Sequence, residues 1–146
     1  MISLEEFCAT LSQLIVVVKE ITDIEQRRID AASRNEHQQI ESFLNEEQAA
    51  LLSLRGLEQK RMHQAADLGW KDFTFRQILY AADSEQKKIL LPLFNELDEQ
   101  VSLLKKVRAS ADRIIGLRIH ELEEAIAMAG GVPNGTSSHF FKDRYI

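Results

Sequence analysis

The chain has 146 residues, 45% of them hydrophobic and 28% charged, with a formal net charge of −5, six Gly, two Pro and one Cys. That length suits one domain with a sizeable core. A lone Cys8 excludes a disulfide framework, and no Cys/His pair stands at metal-ligand spacing. The longest apolar run, Leu14 to Val18, stops at Lys19, well short of the ~20 residues a membrane span needs. The first residues, Met1-Ile2-Ser3-Leu4-Glu5-Glu6, are acidic where a signal peptide is basic, which points to a cytoplasmic protein.

Nearly all of the sequence reads as helix. Ser3 followed by Glu6 forms a capping box, after which Leu4, Phe7, Leu11, Leu14, Val18 and Ile21 alternate steps of three and four. That spacing is the a/d seam of a helix packed along another helix, and it continues more weakly through Ile24 and Ile29. The first helix is expected over about 4–32, with Ser33-Arg34-Asn35 as the break. Asn35 and Gln38 repeat the capping logic and open a second helix, about 36–68. Its apolar face runs through Ile40, Phe43, Leu44, Leu51, Leu54, Leu57, Ala65 and Leu68 to a closing glycine, Gly69. The connection from Trp70 to Phe75 is aromatic and reads as a plug for the bundle end; Asp72 or Thr74 would cap a short helix, about 75–82.

Ser84, with Glu85 and Gln86, opens the longest helix, about 84–129. Its stripe is Leu90, Leu93, Phe94, Leu97, Val101, Leu104, Ala111, Ile115, Ile119, Leu122 and Ile126, and Pro92 within it predicts a kink. Forty-five helical residues span ~68 Å, whereas the first two helices reach only ~45–50 Å, so the last third of the long helix should project. Gly130-Gly131 ends it. Residues 132–138 read as a flexible linker to an aromatic tail, His139 to Ile146. The expected fold is all-α: an antiparallel, coiled-coil-like bundle of three long helices (residues 1–131) with a short connecting helix and a flexible C-terminal tail (132–146).

The charge is uneven. Residues 105–118 hold Lys105, Lys106, Arg108, Arg113 and Arg118 against Asp112, while 1–104 carry a net −7. The stretch reads as a solvated helix face or as a docking surface for an acidic segment. Without interleaved aromatics it does not suit nucleic acid. No catalytic constellation, cofactor loop or metal set stands out. The residues three before His37, His63 and His120 are Arg34, Lys60 and Leu117, so the Glu-x-x-His pairs of a helical di-iron centre are missing. His37 with Glu41, and His120 with Glu123 or Glu124, have the spacing of surface pairs. Cys8 lies at the core edge with no His nearby. No enzyme activity and no cofactor are expected.

The run from Ala32 to Leu44, leading into Leu51-Leu52-Ser53-Leu54-Arg55-Gly56-Leu57-Glu58-Gln59-Lys60-Arg61, resembles the FlgN-type flagellar export chaperones. Leu54, Leu57, Glu58 and Arg61 stand at the positions of that family's Leu-x-x-Leu-Glu-x-x-Arg segment, and Asp143-Arg144 matches its tail. The stretch Arg108 to Ile115 carries neither of the asparagines usual there. The resemblance implies a cytoplasmic chaperone. It would bind C-terminal segments of hook-filament junction (hook-associated) proteins, keep them unassembled and deliver them to the flagellar type III export apparatus, with at most a weak homodimer of its own. The client-facing surface expected on the long helix comprises Val107, Ala111, Ile114, Ile115, Ile119, Leu122 and Ile126, flanked by Arg108, Arg113 and Arg118. The alternative is a structural tether that homo-oligomerises through its seams.

Overall fold

The computed structural model describes residues 2–128, with the side chains at 115, 118, 119, 121–123 and 126–128 left out of the description. Four helices follow one another: α1 (Leu4–Ser33), α2 (His37–Asp67), α3 (Phe75–Ala81) and α4 (Ser84–Met128). Each agrees with its expected bounds to within one residue. The tail and its aromatic cluster lie outside the described residues. Among the described residues no helix is long and apolar enough to cross a membrane.

The helix ends are set by local chemistry. Ser3 caps α1 by accepting from the Glu6 amide at 3.2 Å. At the other end Asn35 adopts φ +58°, its amide donates to the Ala32 carbonyl, and the Glu36 amide donates to that of Ala31 at 2.9 Å. This is a Schellman closure, so Asn35 ends α1 rather than opening α2, and Glu36 stands at the N-cap of α2 without a side-chain cap bond. Gly69 (φ +90°) repeats the closure on α2, with the Trp70 amide donating to Ala65 at 2.8 Å. Thr74 and Gln77 form a full capping box on α3. The cap of α4 is Asp83, not Ser84: Asp83 Oδ1 accepts from the Gln86 amide at 2.8 Å and Gln86 Oε1 accepts from the Asp83 amide at 3.0 Å. Asp is a strong cap, and its reciprocal bond with Gln86 satisfies two donors at once. α4 continues across Pro92, which is exposed and has no N–H to donate to the preceding turn.

α1 is the centre of the fold. It packs along its length against both α2 and α4, whose own backbones stay farther apart and which meet through side chains such as Glu47 and Arg108. Register follows from paired residues. Phe7 meets Trp70 at one end of α1, and Arg28 meets Glu47 at the other, so α2 runs antiparallel to α1. Phe7 also meets Phe94, Lys19 pairs with Glu96 at 3.1 Å, and Glu25 faces Arg108, so α4 runs parallel to α1.

The core is the seam of α1: Phe7, Leu11, Leu14, Val18 and Ile21 are all buried against Leu54, Leu90, Phe94, Leu97 and Leu104. Full burial of each such side chain contributes about 1.5–3 kcal/mol. The closed end is aromatic. Phe7 sits edge-on to Trp70 and Phe94, and Phe75 stacks on Phe94 at 4.2 Å. Trp70 and Phe75 therefore serve as the expected plug, whereas Phe73 is exposed. The exposed flank of α2 carries Gly56, whose missing Cβ would meet nothing within 4 Å.

Two substitutions test this packing in denaturant unfolding. Phe7→Ala should lower stability by about 3–5 kcal/mol, because Trp70 and Phe94 lose their common partner. Gly56→Ala should raise it by about 0.5–1 kcal/mol, since helix propensity improves and nothing is displaced.

Candidate functional site

The seam of α1 does not stay apolar. Continuing the same spacing past Ile21 brings Glu25, Arg28 and Ala32 onto it. On α2 the equivalent series Phe43, Glu47, Ala50, Leu54 includes Glu47, and on α4 the series Leu97, Val101, Leu104, Arg108, Ala111 includes Arg108. Four ionisable side chains from three helices therefore meet in the interior. Glu25 and Glu47 are 0% exposed, Arg28 1% and Arg108 3%.

The two carboxylates lie between the two guanidiniums. Arg28 Nη1 donates to Glu25 Oε2 at 2.7 Å and to Glu47 Oε2 at 3.3 Å. Arg108 Nε stands 3.8 Å from Glu25 Oε1 and 3.9 Å from Glu47 Oε1, at ion-pair rather than hydrogen-bond distance. Asp112 Oδ1 reaches Arg28 Nη2 at 4.0 Å from the more exposed side. Burial, reinforced by contact with Glu47, pushes the Glu25 carboxyl up to about 8, against the opposing pull of Arg28 and Arg108. Outside this cluster Arg27 lies over the Phe43 ring at 5.3 Å and pairs with Asp23 and Glu46 at the surface.

The residues expected to face a client are placed as follows. Ala111 is fully buried in the junction of α1 and α4, and Arg108 faces inward as a partner of Glu25 and Glu47. Arg108 is therefore not a flanking cation. Its position on the seam turns it inward, and the carboxylates offset its desolvation. Val107 and Ile114 are half-buried, and Arg113 is exposed. Ile115, Arg118, Ile119, Leu122 and Ile126 lie on the α4 helix, with their side chains outside the description. Lys105 and Lys106 are exposed, as a solvated face requires. Sequence reading missed the buried cluster because carboxylates are plentiful on every helix; the signal available was charge at successive seam positions.

Two further features complete the surface. Because α2 and α4 do not close on each other, a cleft of about 250 Å³ opens between them. Its floor is Leu14 and Val18, its walls Leu54, Leu97, Val101 and Leu104, and its mouth carries Glu58 and Asp98, with Phe75 at the end nearer α3. Glu58 is itself bound by Arg61, which also covers the Phe75 ring.

The second feature is length. Arg28 lies level with Asp112 and α1 ends five residues later, so α4 runs about eleven residues, or ~16 Å, past its neighbours.

Little here suggests covalent chemistry. Burial and the Glu5 carboxylate push the half-buried Cys8 thiol up, away from a reactive thiolate. His120 pairs with Glu124 at 3.0 Å on the exposed surface, as its spacing predicts. Among the described residues no group of three or more His, Cys, Asp and Glu is placed to hold a metal ion.

Adjacent arginines separate the two environments. Arg28→Met should cost about 3–5 kcal/mol in urea unfolding, because it strands two buried carboxyl groups. Arg27→Met, whose side chain is 42% exposed, should cost no more than about 1 kcal/mol.

Compared with protein-family models, with curated proteins and with solved structures, the chain finds no match.

Proposed function

We propose that the chain is a cytoplasmic export chaperone of the FlgN type, which holds the C-terminal segments of hook-filament junction proteins unassembled and passes them to the flagellar export apparatus. Supporting it, beside the sequence resemblance, is one observation: α4 outruns both helices that pack near it. In the sequence, positions 115, 119, 122 and 126 continue the seam into that extension as Ile, Ile, Leu and Ile. An amphipathic client helix laid along it would supply the missing neighbour, with its apolar residues at i, i+3, i+4 and i+7.

On this reading the three long helices form an antiparallel, coiled-coil-like scaffold, and the client adds a further helix beside α4. Val107, Arg113 and Ile114 mark where that helix would begin to leave the bundle. Ordering a disordered client costs conformational entropy, so binding is moderate and release remains easy. A tether that homo-oligomerises through its seams would need the α1 seam, which the chain's own helices already cover.

Titration calorimetry with the C-terminal segments of the junction proteins tests the reading. The expected result is one-to-one binding in the micromolar range or tighter. Ile115→Asp with Ile119→Asp should abolish it while the helical circular-dichroism signal persists. Absence of binding to every junction protein would refute the proposal.

A further inference from the structure

The buried cluster has an arrangement that stability alone does not call for. Two glutamates from different helices, Glu25 on α1 and Glu47 on α2, bring their carboxyl groups to the same pair of guanidiniums in an interior closed to solvent. Arginine does not give up its proton, so any adjustment of charge falls to the acids. Two ionised carboxylates side by side repel. A third carboxylate, Asp112, reaches Arg28 from the α4 side at 4.0 Å, and Arg108 Nε stands 3.8–3.9 Å from both glutamates, so three acids converge on two guanidiniums. The other charged groups nearby, Asp23, Arg27 and Glu46, face solvent and pair with one another. One proton on the glutamate pair relieves the repulsion and leaves Arg28 to hold both.

We propose that Glu25, Arg28, Glu47 and Arg108 form a proton-held latch that joins α1, α2 and α4, closed while one proton sits on the glutamate pair and weakened when that proton leaves. It lies at the end of the bundle from which α4 continues, so its loss loosens the base of that extension. The direction follows from the chemistry. The folded Glu25 carboxyl is held up at about 8, whereas an exposed glutamate ionises near 4.5. The folded chain therefore keeps a proton that the unfolded chain has lost, and stability falls as pH rises between those values.

Denaturant unfolding of the full chain from pH 5.5 to 7.5 tests the latch. The unfolding equilibrium constant of the wild type should rise about tenfold per pH unit relative to Glu25→Gln, which mimics the protonated acid and has no proton to release. Equal pH slopes in the two proteins would overturn the proposal. Should Glu25→Gln fail to fold, infrared spectra of wild-type chain carrying carboxyl-13C glutamate decide the matter. A protonated glutamate carbonyl band present at pH 7 and lost by pH 9 is expected, and its absence at pH 7 would overturn the proposal.

Discussion

Everything in this fold depends on one helix presenting two faces at once. α1 is the shared partner of α2 and α4, whose backbones do not pack closely on each other, so the register of the whole molecule is the register of α1. Its first half meets that demand with apolar residues, from Phe7 to Ile21. Its second half meets it with charge: Glu25 and Arg28 occupy seam positions and are matched by Glu47 and Arg108 from the two flanking helices. Apolar seams tolerate a slip of one heptad, because leucine packs on leucine in either setting. A buried guanidinium does not, since a slip would strand it against Val101 or Leu54 at a cost of several kcal/mol. The charged half thus fixes how the apolar half aligns.

The two ends of the bundle are consequently built differently. At the end where α2 turns into α3, four aromatic rings close the core and caps by Thr74 and Asp83 turn the chain back. Dispersion and ring-edge contacts suffice there. At the opposite end the interior is held by four ionisable side chains and the chain continues outward as α4. The side between α2 and α4 stays open, with an apolar floor. A partner helix added along α4 would meet the molecule where its interior is most polar and its own packing least complete.

Much of this was legible in the residues. Helix bounds followed from hydrophobic spacing and from Gly69 and Thr74, which act in the structure as their chemistry predicts; Ser3 caps α1 by accepting from the Glu6 amide, one half of the expected capping box. Asn35 and Ser84 did not. Asn serves equally as a cap that opens a helix and as the left-handed residue that closes one, and Ser84 stands beside a better acceptor, Asp83. Arg108 was read by its charge as a surface residue, although its place in the series Leu104, Arg108, Ala111 turns it inward. Position within the period outweighed residue type. The exact partners of a buried charge lie on other helices, at sequence distances that spacing within one helix does not encode.

The most direct test of this account is the mass of the full chain by sedimentation equilibrium. If α1 spends its whole seam on α2 and α4 of the same chain, the protein sediments as a single chain across the micromolar range, with weak self-association at most. A tight dimer or tetramer that persists on dilution would mean that the seam is shared between chains, and would contradict the account at its centre.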